Sequence, residues 1–213
     1  MGEVMNYYFD FDNTIYETAK LTKLMINAIG KTISKITNKD EYIILEETFQ
    51  SFNSTVDNIF EHGKKMAQKY ELDDKEVIKA INEVIDNGNN IVFEDARRFI
   101  EKLKQNEQDK QNKLYLLTYT HKGNEEYQLQ KIIGADVLKY FDGLIVTTEY
   151  KFNLDLKYEG GIFFDDDPRD LNGLLEKNAY KAIRIRKENN WRSKIDMENP
   201  MVEEYISFDN IKI

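Results

Sequence analysis

The chain has 213 residues, with 30 Lys and Arg against 39 Asp and Glu, for a formal net charge of −9. Its 41% hydrophobic and 12% aromatic content is ample for a buried core, which excludes disorder of the whole chain. Zero Cys excludes a disulfide framework, a thiolate zinc site and a cysteine nucleophile, and two His are too few for an imidazole-rich metal centre, so any metal must be held by oxygen. Residues Met1 to Phe11 carry Glu3 and Asp10 where a signal peptide is apolar, and no apolar run approaches the roughly 20 residues of a membrane span, so a cytoplasmic location is expected. The acidic balance argues against nucleic acid as a partner, since affinity for phosphate backbones comes mainly from Lys and Arg.

No internal repeat, low-complexity tract or Pro-, Gly- or Ser-rich linker marks a boundary, so the organisation is read from periodicity. Asn6 to Phe11 reads as a short buried strand stopped by Asp10, Asp12, Asn13 and Thr14. Leu21, Leu24, Met25, Ala28, Ile29, Ile33 and Ile36 then recur at helical steps. A second helix carries the stripe Phe49, Phe52, Val56, Ile59, Phe60, Met66, Ala67 and Tyr70. A third starts at Asp73, with Glu76 completing a capping box, and runs through Val77, Ile81, Val84 and Ile85. The breaker run Asn87-Gly88-Asn89-Asn90 closes this all-helical stretch.

Beyond it helix and strand alternate. Helices are expected at Asp95 to Lys104, at Asn124 to Ile133, and from Pro168 to about Lys177; strands at Lys113 to Thr118, Gly143 to Thr147, Gly161 to Phe164 and Lys181 to Ile185, with a small edge strand at Glu204 to Phe208. This is the pattern of an α/β protein with a parallel sheet and crossover helices. The domain reading is a core of residues 1–17 and 88–213 interrupted by a helical insertion over 18–87.

Asp10 and Asp12 lie two residues apart at a strand end, so strand geometry can point both past one sheet edge, where open α/β sheets bind ligands. Asp165 and Asp166, with Asp170 one turn further on, stand at the end of a later strand. If the two edges are neighbours, several carboxylates converge; two such charges about 4 Å apart repel by roughly 4 kcal/mol at an effective dielectric of 20. Such a cluster needs protons or a cation, and hard oxygen ligands without His or Cys point to Mg²⁺.

Asp10-Phe11-Asp12-Asn13-Thr14 followed by a hydrophobic residue resembles motif one of the haloacid dehalogenase superfamily. Leu114-Tyr115-Leu116-Leu117-Thr118 resembles its second motif, and Ile162-Phe163-Phe164-Asp165-Asp166 with Asp170 its fourth. The motifs occur in the family's order over about Asn6 to Ile185. The resemblance implies a three-layer, Rossmann-like core with an inserted helical cap, and phosphoryl transfer from a small phosphomonoester through an aspartyl phosphate. Asp10 would be the nucleophile and Asp12 the acid and base. Mg²⁺ would be held by Asp10, the backbone carbonyl of Asp12, and Asp165 or Asp166. Thr118 would bind a phosphoryl oxygen, together with the loop that begins at Tyr119. The departure is motif three: no helix is evident between Thr148 and Gly161 to carry the family's Lys, leaving Lys151, just after the strand, ahead of Lys157.

Trp191 and the stripe Phe49, Phe52, Val56 and Phe60 read as packing, His121 and Lys122 as a solvated loop, and substrate choice is expected near Tyr16 and the ends of the insertion. Alternatives on the same scaffold are a phosphomutase and a non-catalytic module that binds Mg²⁺ or phosphate. Dehalogenation fits less well because Asp12 is present, and a response-regulator receiver is rejected by motif order and length.

Overall fold

The computed structural model describes residues 5–52, 58–105, 112–156, 160–188 and 190–212. The chain divides into two compact units, Met1–Glu17 with Asn89–Ile213, and Thr18–Gly88. Among the described residues no helix is long and apolar enough to cross a membrane.

Among the described residues the first unit is built on six parallel strands: β1 (Asn6–Phe9), β2 (Lys113–Tyr119), β3 (Gly143–Thr147), β4 (Gly161–Asp165), β5 (Lys181–Ile185) and β6 (Glu203–Tyr205), in the spatial order β3-β2-β1-β4-β5-β6. Central parallel strands are covered on both faces and therefore read as continuous apolar runs rather than alternating ones, as Tyr7-Tyr8-Phe9 and Ile162-Phe163-Phe164 do, all six residues being buried. Tyr8 pairs with Tyr115 on one side and Phe163 on the other. The three rings stack across the sheet at 5.2 and 4.5 Å. On that face they pack with Leu171 and Leu174 of a helix at Pro168–Glu176. The opposite face stacks Phe9 on Phe164 at 4.4 Å and covers them with Phe99, from a helix at Glu94–Gln105, and with Phe208. Helices on both faces make the α/β core three layers deep.

In chain order the helices are α1 (Thr18–Thr37), α2 (Glu41–Ser51), α3 (Ile59–Lys69), α4 (Lys75–Asp86), α5 (Glu94–Gln105), α6 (Glu125–Gly134) and α7 (Pro168–Glu176). The first four form the second unit. They bury Leu21, Met25, Ile29 and Ile33 of α1 together with Val77, Ile81 and Ile85 of α4.

The stripe expected as one helix is two, α2 and α3. Phe52 has extended backbone at the end of α2, and the Asn58 side chain accepts the Phe60 N–H to start α3. Side-chain caps of this kind compete with helix continuation without disturbing the apolar period. The buried positions are Ile44 and Thr48 of α2 and Ile59, His62, Gly63, Met66 and Ala67 of α3, whereas Phe49 is exposed; Val56 lies outside the described residues. Helix α4 starts at Lys75 rather than Asp73, whose carboxylate accepts the Lys75 N–H, and no side-chain cap bond forms at Asp74. The edge strand is shorter than expected: after Tyr205 the chain turns to bury Phe208.

Candidate active site

The strand order reverses between β1 and β4, because the chain builds outward to β2 and β3 on one side and to β5 and β6 on the other. Open parallel sheets bind ligands at this crevice, beyond the carboxyl ends of the strands. Phe9 pairs with Phe164, and the Asp10 N–H donates to the Phe164 carbonyl at 2.8 Å. Asp10 and Asp165 thereby leave the sheet side by side. With Asp166 they form a buried group in which one carboxylate oxygen of each residue lies within 4.8 Å of the others.

Lys151 sits in a single 3₁₀ turn, Lys151–Asn153, on the way from β3 to β4. Its Nζ donates to Asp10 Oδ1 at 2.6 Å and to Asp165 Oδ2 at 2.5 Å, and its backbone N–H donates to Asp170 Oδ1 at 3.0 Å. No long helix is needed to bring it there. Lys157 lies outside the described residues. Thr14 Oγ1 donates to the other oxygen of Asp10 at 3.1 Å, and the Asp167 N–H to Asp165 Oδ1 at 2.9 Å. Asp166 accepts from the Asn190 amide and from Arg192 Nη1, the latter at 3.1 and 3.2 Å.

Burial pushes the Asp10 carboxyl well above its ordinary range; Lys151 opposes this, and Asp165 and Asp166 reinforce it. Burial and then the charge of Asp165 push Asp166 up to about 6 against Arg192. The same two causes push Asp170 up to about 6 against Lys151. Burial alone would lower Lys151, but Asp10, Asp165 and Asp170 hold it above its ordinary value, so it is a fixed positive charge. The buried carboxylates of Asp10, Asp165 and Asp166, all hard oxygen donors, fit a divalent cation of the Mg²⁺ type.

The Asp12 carboxylate is not in that group. Lys131 Nζ of α6 lies 2.6 and 2.9 Å from its two oxygens, and Gln128 Nε2 lies 2.7 Å from Oδ2. Gln128 Nε2 also reaches Thr118 Oγ1 at 2.9 Å, so Thr118 is fully buried beside Gln128. Asp12 and Tyr119 line a cavity of about 330 Å³ whose wall also includes Asp10, Lys151, the acidic run Asp165 to Asp167 and Asp170. His121 lines it too, its ring edge-on to Tyr119 at 5.4 Å, while Lys122 is exposed.

Two expectations need correction. Tyr16 is fully buried and stacked on Phe11 at 4.6 Å, so it presents no surface to a substrate. Trp191 is no packing residue: it is 64% exposed and lies on the cavity wall. The sequence reading also missed Lys131, Gln128, Asn190 and Arg192. A signal existed for the first pair, since Gln128 and Lys131 occupy the same buried helical phase as Ile132, where polar residues require partners. The tail around Asn190 and Arg192 has no periodicity to flag it.

No protein-family model matches the chain, and neither does any curated protein. Solved structures do. A haloacid dehalogenase (HAD) phosphatase from Thermococcus onnurineus superposes with a TM-score of 0.56 at 18% identity, covering 97% of this chain and 95% of that one. A candidate HAD-hydrolase from Bacillus subtilis, solved with magnesium bound, gives 0.54 at 13% identity over 98% and 96%. A candidate β-phosphoglucomutase from Thermotoga maritima gives 0.52 at 15% identity over 88% of each chain. The protein is thus a parallel-sheet α/β protein with a buried carboxylate cluster at its switch point. Its fold is that of the haloacid dehalogenase superfamily.

Proposed function

We propose that the chain is a Mg²⁺-dependent phosphatase that hydrolyses a small phosphomonoester through an aspartyl phosphate on Asp10. The observation that carries the reading is the meeting of Asp10, Asp165, Asp166 and Lys151 at the switch point, with Lys151 Nζ 2.6 Å from Asp10. A carboxylate is a reasonable nucleophile toward phosphorus only where its repulsion from the phosphate dianion is cancelled. Mg²⁺ held by Asp10, Asp165 and Asp166, with the Asp12 carbonyl, would supply part of that charge, and Lys151 supplies the rest. In the first half-reaction an Asp10 oxygen bonds to phosphorus as the bond to the leaving oxygen breaks, and Asp12 delivers a proton to that oxygen. In the second, Asp12 takes a proton from water as the water attacks phosphorus, and the bond to Asp10 breaks, releasing phosphate.

The helical unit inserted between β1 and α5 is read as the cap, and the magnesium-bound neighbour supports the metal. A phosphomutase remains the second reading on the same chemistry, in keeping with the Thermotoga neighbour, and it would give no net phosphate release.

The test is phosphate release from a chromogenic aryl phosphate with and without Mg²⁺, for the native protein and Asp10→Asn. Release should need both the ion and Asp10, with a loss of about 10³-fold or more in the variant. Release that survives in Asp10→Asn or in chelator would overturn the reading.

A further inference from the structure

Around the acidic centre the cavity wall is aromatic, and phosphoryl chemistry does not require that. Tyr119 and Tyr150 stack at 6.2 Å with planes 14° apart, and Tyr150 continues onto Phe152 at 5.4 Å and 11°. Those rings cover part of one another's faces, although Tyr150 keeps an exposed edge. Trp191, the sole Trp of the chain, differs: it is 64% exposed at the cavity, and the ring neighbour described for it is the Arg192 guanidinium, 5.1 Å from its centroid.

An exposed indole on a mobile tail would mean little. The segment that carries this one is anchored. Asn190 bonds Asp166 and accepts the Arg192 N–H at 3.0 Å, and Arg192 reaches both Asp166 and Asp167. From β5, Arg184 Nη2 donates to the Arg192 carbonyl at 2.7 Å; just beyond the strand, Arg186 Nε donates to the Ser193 carbonyl at 2.6 Å. The residues on both sides of Trp191 are therefore tied to the carboxylate run or to the sheet, which fixes the backbone that carries the indole at the cavity while leaving the ring's surface open. A rigid aromatic body with two rotatable bonds is an efficient stacking partner because little side-chain entropy is lost on binding. The cavity volume, about 330 Å³, is at the lower end of small-molecule sites and holds more than a phosphate.

We propose that Trp191 is the stacking platform for the substrate's leaving group, and that the substrate is a phosphomonoester carrying a planar aromatic or heteroaromatic ring, of the nucleoside monophosphate class. The assignment rests on the phosphatase reading and adds the substrate class to it.

Adenosine 5′-monophosphate and ribose 5-phosphate share phosphate and sugar and differ by the base, so their comparison isolates stacking. In the Asp10→Asn protein, where turnover is blocked, adenosine 5′-monophosphate should change the fluorescence of the single Trp and ribose 5-phosphate should not. In the native protein kcat/KM should favour the nucleotide on the order of tenfold; Trp191→Ala should bring the two values together, and Trp191→Phe should keep most of the preference. Equal kcat/KM for the two compounds, with no base-dependent fluorescence change, overturns the inference and leaves the phosphatase reading intact. Absence of Asp10-dependent phosphate release from every phosphomonoester, with the base-dependent fluorescence change present, overturns the phosphatase reading and leaves the stacking site standing.

Discussion

Asp12 lies two residues after Asp10, yet its carboxylate bonds toward α6, to the buried Lys131 and to Gln128. Rotation of a free carboxylate would spread its proton over directions useless to a leaving oxygen, and proton transfer needs heavy atoms within hydrogen-bond reach. On the proposed mechanism Lys131 would be a positioning residue: it bonds both oxygens of Asp12, the group proposed to exchange a proton with the leaving oxygen and the water. Removing the buried Lys131 also leaves the half-buried Asp12 uncompensated, at a cost below the roughly 3–5 kcal/mol of a fully buried pair, so Lys131→Met is expected to lower stability as well as rate. The two effects separate in the kinetics of protein that remains folded. Lys131→Met should lower kcat about 10- to 100-fold with KM within about threefold, and Lys131→Arg, whose guanidinium can bond both oxygens, should recover part of kcat. A rise in KM at unchanged kcat would place Lys131 in substrate binding instead.

At the scale of elements, the turn that delivers Lys151 depends on a glycine in another element. A methyl on Gly173 of α7 would lie 2.9 Å from Phe152 Cβ and closer still to its ring, and Phe152 follows Lys151 directly. Alanine normally favours a helix over glycine by about 1 kcal/mol, but overpacking of this kind costs about 1–3 kcal/mol and moves the neighbour. Gly173→Ala should therefore displace the Lys151 turn, lowering kcat about tenfold or more and the melting temperature by a few degrees. Adding Phe152→Ala should restore much of both. Unchanged kcat in Gly173→Ala would show that the turn does not need this contact.

This contact also marks where legibility in the sequence ends. The strands were readable because burial on both faces writes itself into consecutive residues such as Phe163 and Phe164. The acidic groups were readable because strand ends carry them at short spacings. The seat of Lys151 was not, because it is made by Phe152 against Gly173, twenty-one positions away in the chain. Periodicity likewise showed the apolar face of α2 and α3 but not the break between them, since a face continues across a capped interruption.

For the molecule as a whole, the acidic centre should make stability depend on pH and on divalent metal in linked ways. Asp166 and Asp170 have folded-state values raised to about 6, against about 3.9 in an unfolded chain. The folded state therefore binds protons more tightly. The stabilisation is fully present below the unfolded value and is lost as pH rises through the folded one. Asp95, Asp142 and Asp167 are shifted the other way, but the stability they contribute is lost only as pH falls below the ordinary carboxylate range, outside the window from about 5 to 7.5. Without metal, the melting temperature at pH 5 should thus exceed that at pH 7.5 by about 5 °C. Saturating Mg²⁺ should raise it at pH 7.5 much more than at pH 5, because ion and protons compete for the same oxygens. Net charge gives a rival cause: the chain carries −9 near neutrality and has a pI of about 4.9, so self-repulsion also eases on acidification. The Asp10→Asn/Asp166→Asn/Asp170→Asn triple variant separates them, for it removes all three raised carboxyl groups but only three of the 39 Asp and Glu side chains. Thermal melts of that variant should lose most of the pH slope and much of the Mg²⁺ effect; a slope that persists there would assign the pH dependence to overall charge and detach it from the carboxylate cluster.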